Sequence, residues 1–209
     1  MKLTVFGSNG RVGGSVVRLA EKKGHEVTKI DVGDNITEFH ADVVIDFSVP
    51  QATKAVIDYC VACNCPLVTG VTGRNAEQQF EIDKLSERLP VVQSANFAEG
   101  IALFTDVCAK IAAAHPDWDV DVVEMHRRGK LDAPSGTAKT IAAKISQAKG
   151  AFGKVTIHSV RSGTNFGVHS VIFGGTGENI TLTHRAENVE VFALGAIKQA
   201  EVLFAKRTE

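Results

Sequence analysis

Fifteen residues, Glu124 to Ala138 (EMHRRGKLDAPSGTA), gather side chains that could hold a small anion and move a proton to it. Four basic groups, His126, Arg127, Arg128 and Lys130, crowd into five positions, although the net charge of the chain is −1. Pro134-Ser135-Gly136-Thr137 follows and opens a helical pattern, AKTIAAKIS. Ser135 is a natural N-cap, and the amides of Gly136 and Thr137 would then lie unpaired at the positive end of the helix. Such a helix start receives carboxylates, and cations beside it add charge-assisted hydrogen bonds. The segment therefore reads as a site for a small dicarboxylate, held by Arg127, Lys130, Ser135, Gly136 and Thr137. Histidine is the side chain whose ordinary pKa lies near neutrality, so His126 is the acid–base candidate. A basic run alone is usually a solvated face; the adjoining helix start is what argues for a ligand. Asp132-Ala133-Pro134 is expected to shape the turn between them.

A second chemistry is written near the N-terminus. Gly7-Ser8-Asn9-Gly10-Arg11-Val12-Gly13 follows an apolar run and opens a helix, the setting in which a glycine-rich loop holds a dinucleotide diphosphate. Asp31 closes the next strand pattern, where a carboxylate accepts the hydroxyls of an adenosine ribose. A carboxylate there repels a 2′-phosphate, and residue 32 is Val rather than Arg. NADH is therefore expected to be preferred, with NADPH accepted less well; Lys29 and Arg11 could soften the difference. Two more loops fall at strand ends, Gly70-Val71-Thr72 and Ser94-Ala95-Asn96-Phe97, and are expected to border the nicotinamide, with Thr72 also reaching the substrate.

These residues need a scaffold. Strand patterns at 3–6, 26–31, 41–48, 66–70 and 90–95 alternate with helical ones at 11–23, 50–63 and 75–89. Strand and helix in alternation imply a Rossmann-like, doubly wound parallel sheet, a dinucleotide-binding domain over residues 1–97. From residue 98 the order changes. A long helix, a strand over 119–126 and a helix from Ser135 precede three strand-like runs without helices between them. That pattern predicts an α+β domain over 98–188 with a mainly antiparallel meander, followed by a helix over residues 189–206.

Bulk properties exclude other classes. Near-neutral charge argues against a nucleic-acid-binding surface, and no apolar run reaches the roughly 20 residues that span a bilayer. MKLTVFGSNG reads as a first strand rather than a signal peptide, so a cytoplasmic location is expected. Cys60, Cys63 and Cys65 cluster but lack the second pair of a zinc site; with Cys108 they read as reduced structural thiols, and no metal is expected.

EMHRRGKLDAPSGTA resembles the signature of the dihydrodipicolinate reductase family, roughly E-x-H-H-x-x-K-x-D-A-P-S-G-T-A. GSNGRVG, DVVIDFSVP, TGVTG, SANFAEG, VRSGTNFGVHSVIF, LTHRA and VFALGAIKQA extend the resemblance over nearly the whole chain. It implies reduction of 4-hydroxy-tetrahydrodipicolinate by NADH or NADPH in diaminopimelate and lysine synthesis. It also implies His126 as proton donor, Lys130 as a substrate-binding and catalytic lysine, and a homotetramer joined through the antiparallel sheets. Residues 189–209 would return to the dinucleotide-binding domain, leaving 98–188 for substrate binding and oligomerisation. Two features depart from the pattern. Arg127 stands where the family has a second histidine, and an arginine cannot act as an acid. The segment between Thr137 and Arg161 is also short. The alternatives are another Rossmann dehydrogenase of amino or sugar acids, which leaves DAPSGTA unexplained, and a nucleotide-binding homologue without catalysis. His169, His184 and Arg161 are possible neighbours of the site.

Overall fold

The structure, a computed structural model, describes residues 1–36 and 39–208. Its first five strands are short, and the central ones are buried along nearly their whole length, as suits strands sandwiched between helices. β1 (Lys2–Phe6), β2 (Glu26–Ile30), β3 (Val43–Asp46), β4 (Leu67–Thr69) and β5 (Val91–Gln93) form one parallel sheet in the order β2-β1-β3-β4-β5. Strand alternation sends Leu3 and Val5 to one face, where they pack with Val16, Ala20, Ala196 and Ile197. Those partners lie on α1 (Arg11–Lys22) and α6 (Glu190–Thr208). Phe6 and Val44 pack on the other face against Val56 and Tyr59 of α2 (Thr53–Cys63) and Ile82 and Leu85 of α3 (Ala76–Ser86). Helix α3 begins with a reciprocal cap between Asn75 and Gln78. The chain divides into two units, residues 1–97 with 189–209 and residues 98–188, so α6 belongs with the parallel sheet.

One polar network ties the strand ends of this unit together. Asp46 ends β3 fully buried, and its carboxylate accepts hydrogen bonds from Ser48, from Thr69 at the end of β4 (2.9 Å) and from Arg74 (3.1 Å). The Arg74 and Asp46 side chains are 2% and 1% exposed, and Arg74 also donates to Thr53, Thr69 and the Val71 carbonyl. Helix α2, both strand ends and the 70–73 loop are thereby held in one register.

The second unit contains α4 (Glu99–Ala114), β6 (Asp119–His126), α5 (Gly136–Lys149), β7 (Thr156–Arg161), β8 (Val168–Gly175) and β9 (Glu178–Arg185). Its sheet runs β7-β6-β8-β9. β6 pairs antiparallel with β8, and β8 with β9 through a two-residue turn whose Gly177 has φ +81°. The meander expectation fails for β7, which pairs parallel with β6. The cause is α5, whose crossover returns the chain beside β6 in the same direction, leaving the other side of β6 to β8. Alternation within a strand reports which face it buries, not which neighbour it takes. Val120, Val122, Val171 and Phe173 are buried on one face of the sheet, as are Phe104 and Ile101 of α4 and Ile141 and Ile145 of α5, the helices packed beside it.

Removing one partner of a buried ion pair strands the other in low dielectric. Arg74→Ala is expected to destabilise the protein by about 3 kcal/mol, read as a lowered denaturation midpoint, whereas Lys54→Ala, which breaks an exposed pair with Asp58, changes it by well under about 1 kcal/mol.

Candidate active site

The glycine loop leaves β1 with a backbone that side chains would block. Gly7 has φ +75°, and a Cβ on it would lie 2.6 Å from the Phe47 carbonyl oxygen. A Cβ on Gly13 would lie 2.0 Å from the Gly7 carbonyl oxygen, so α1 starts against the turn itself. Ser8 is buried, while Asn9, Gly10 and Arg11 are exposed and Val12 is half-buried. The Asn9 amide donates to Asp31 (2.7 Å), and the Val32 amide donates to its other oxygen. These two bonds hold the Asp31 carboxyl below its usual range. Asp31 opens onto a cavity of about 260 Å³ walled by Phe6, Ile30, Val32, Val49 and Ala52, with a second acid, Asp34, beside it. Lys29 is paired with Glu21 (2.9 Å).

Phe47 organises the two later loops. Its ring lies where a Cβ of Gly70 would be, 2.2 Å away, and meets Phe97 edge-on at 5.8 Å between centroids. Val71 is buried and Thr72 exposed. The Ser94 hydroxyl donates to the Asn96 carbonyl (2.7 Å) and accepts from the Asn96 amide, while Ala95 stays exposed. Among the predicted cofactor positions, Gly7 and Asp31 thus share one cavity, and Gly70 and Phe97 share the Phe47 ring. Phe47 and the cavity residues Ser48, Val49 and Gln51 are not among the predicted cofactor positions, although Phe47 to Val49 lie in the DVVIDFSVP run that carries the family resemblance; their further signal is their place after β3, where parallel sheets bind ligands.

In the second unit His126 ends β6, 8% exposed. Glu124, two residues back on the same face, is fully buried. One oxygen of its carboxylate faces His126 Nδ1 in a very short contact. The other accepts from Arg161 Nη2 (2.7 Å) and, weakly, from the Ser135 amide (3.4 Å). Burial would raise the Glu124 carboxyl, but bonds from Arg161, Ser159 and His126 outweigh it and hold it at about 2. For His126, burial outweighs Glu124 and lowers the imidazole. His169 lies opposite Glu124 on β8, its ring edge-on to His126 at 5.2 Å. It is 1% exposed, neither ring nitrogen has a protein hydrogen-bond partner, and burial pushes it down to about 3.

The loop after His126 bends back on itself. The Arg127 amide donates to the Asn165 carbonyl and Arg161 to the Asp132 carbonyl. Ser135 caps α5, its hydroxyl accepting from the Ala138 amide (3.2 Å). The Asp132 carboxylate pairs with Lys130 (2.8 Å), and the nearby Gly136 amide also favours its charged form. Burial opposes ionisation of Asp132, and Lys130 and the amide outweigh it. A carboxylate of the chain therefore lies against the two groups expected to bind one. Thr137 is buried at the start of the helix. Glu124 and Arg161 are the residues that sequence reasoning underrated. Glu124 carried a signal, a carboxylate at i−2 of a strand-end histidine.

Fold and site define a class, the two-domain oxidoreductases in which a Rossmann unit is joined to an α+β unit. Solved members with 10% identity, such as a putative myo-inositol dehydrogenase from Sinorhizobium meliloti 1021 (TM-score 0.62, covering 100% of this chain and 89% of that one), share the fold alone. The chain belongs to the dihydrodipicolinate reductase family: the family's N-terminal model matches residues 1–97 and its C-terminal model residues 100–209. Members are NAD(P)H-dependent reductases of lysine and diaminopimelate synthesis. The 4-hydroxy-tetrahydrodipicolinate reductase of Xanthomonas campestris pv. campestris (strain B100) is 36% identical over 224 residues, 99% of this chain and 93% of that one. That of Clostridium novyi (strain NT) is 38% identical over 216 residues, 95% and 86% of the two chains. A dipicolinate-bound dihydrodipicolinate reductase from Paenisporosarcina sp. TG-14 superposes with TM-score 0.75 at 25% identity, covering 98% and 95%.

The buried cluster sets the acid response. His169 resists protonation in the fold, so its stabilising effect is complete above its ordinary value of 6.5 and is lost as pH falls toward about 3. Glu124 adds a second loss as pH falls from 4.5 toward about 2. Thermal midpoints should therefore begin to fall below about pH 6.5, and His169→Phe should make the part of that decline above pH 4.5 shallower, His126 and His184, also lowered by burial, supplying the remainder.

Proposed function

We propose that this chain reduces 4-hydroxy-tetrahydrodipicolinate to tetrahydrodipicolinate, with residues 1–97 and 189–209 binding the nucleotide and residues 98–188 the substrate. The observation that carries this reading is the carboxylate of Asp132 lying against Lys130 and the Gly136 amide, close in sequence to a buried histidine at a strand end. An ammonium and a helix-start amide that already take a carboxylate of the chain are suited to one of the substrate. The dipicolinate held by the Paenisporosarcina relative is a planar dicarboxylate of the same kind.

The glycine cradle, which a Cβ would fill, and the cavity at Asp31 fit a dinucleotide. When bound, the reduced nicotinamide supplies a hydride. Gly7 to Val12 would receive the diphosphate and Asp31 the adenosine ribose. Gly70, Val71, Thr72 and Ser94 to Phe97 would enclose the nicotinamide, with Thr72 also touching substrate. Lys130, Arg127, Ser135, Gly136 and Thr137 would hold the two carboxylates and orient the ring. His126 gives the compensating proton, and Lys130 supports the charge that develops. Arg127, in place of a second histidine, contributes binding and no proton.

Asp31 and Asp34 at the cavity, with Lys29 already paired, favour NADH over NADPH. The face of the second sheet that carries half-buried Val123, Met125 and Ile172 suits self-association, here as a homotetramer. Among the described residues no helix is long and apolar enough to cross a membrane, and we assign the cytoplasm as the site of action.

Three kinetic outcomes are expected. His126→Gln lowers kcat by about 100-fold or more with unchanged NADH affinity; near-normal turnover would remove His126 from the acid role. Lys130→Ala raises KM for the heterocycle and lowers kcat, and loss of cofactor binding alone would count against the assignment. kcat/KM is higher with NADH than with NADPH, and the opposite order would refute the role given to Asp31.

A further inference from the structure

We infer that Glu124 is the positioning residue of the proton donor: its carboxylate binds His126 Nδ1, fixes the proton of the neutral ring there, and leaves Nε2 as the atom that serves the substrate. The inference rests on His126 being the donor in the reaction proposed above.

The geometry narrows the alternatives. Glu124 and His126 share one face of β6, and the Glu124 side chain has no exposure to water. Its carboxylate remains ionised because Arg161 reaches across from β7 to one oxygen while His126 faces the other. An ionised carboxylate only accepts, so the ring nitrogen beside it must carry a hydrogen in both the neutral and the charged ring. Nδ1 is therefore spoken for. Nε2 lies on the side of Gly167, where a Cβ would come within 3.2 Å of it. That glycine has φ +157° and leaves the space beside Nε2 clear of a side chain.

The charges around the ring act in opposite directions. Glu124 on its own strand favours the protonated ring. Lys130 in the loop and Arg161 on β7 disfavour it, while His169 on β8 stays neutral beside it. Burial and two nearby cations work against the charged ring, and the Glu124 carboxylate is the group that favours a proton on this histidine. A purely structural role, balancing Arg161, would need neither the contact to Nδ1 nor a particular tautomer.

The wild-type protein offers the first test. In ¹⁵N spectra of the full chain with labelled histidine, His126 is assigned by the signals that vanish in His126→Gln. At pH 8 the ring should show a protonated Nδ1 and a bare Nε2; the reverse tautomer overturns the inference without touching the proposed reaction. The second test is Glu124→Gln. It should lower kcat by about 100-fold and leave NADH affinity unchanged. Because the donor must be protonated, kcat falls as pH rises through its pKa, and losing the carboxylate should move that fall to lower pH by about one unit. Wild-type turnover, or a loss of turnover with no movement of the pH profile, overturns the positioning role. If this variant does not fold, the tautomer measurement still decides. If His126→Gln keeps its turnover while the tautomer is as expected, the proposed reaction fails and the Glu124–His126 pairing stands.

Discussion

A carboxylate with no exposure to water is costly to keep ionised, by several kcal/mol before its partners are counted. Glu124 is such a group, and much of the second unit is arranged around it. Arg161 comes from the end of β7, which pairs parallel with β6. Ser135 offers its amide from the start of α5. His126 comes from two residues along the same strand. The β6–α5–β7 crossover is thus the topology that delivers an arginine, a helix start and a histidine to one buried carboxylate. Had β7 joined a meander beside β8, Arg161 would not stand next to β6.

The first unit uses the same device for another purpose. Asp46 is buried at the end of β3 and is satisfied by Ser48, Thr69 and Arg74. There the network sets the register of the strand ends from which the predicted cofactor loops depart. Phe47, the next residue, closes against Gly70 and Phe97. A buried ion pair contributes little net stability compared with apolar packing, but it penalises every arrangement that leaves one partner alone. Both units place such a pair where loop geometry matters for a ligand.

Asp132 shows how a free site can be kept in shape. The Asp132 carboxylate pairs with Lys130 and, with the Gly136 amide nearby, is held in its charged form. On the proposed function, an incoming carboxylate would meet groups already arranged for that charge, which is preorganisation in the ordinary sense.

Much of this was legible in the sequence. Alternating apolar runs with glycine stops predicted the parallel sheet, because strands buried on both faces and helices between them leave a strong local pattern. GSNGRVG followed by Asp31 and the DAPSGTA run are local signals too, since spacing along one turn or one loop decides whether they can act. What could not be read was partnership across strands. The pairing of β7 with β6 leaves no periodic trace, the alternation that puts Glu124 on the buried face of β6 does not say that Arg161 will meet it there, and the Phe47 ring on Gly70 joins residues far apart in the chain. The sequence by itself determined which residues could bind an anion, hold a nucleotide or move a proton, because those properties belong to side-chain chemistry and local backbone. Only the tertiary structure decided that Glu124 contacts His126 and that Asp132 lies against Lys130 and the Gly136 amide, because burial and non-local contact set which charges must answer one another.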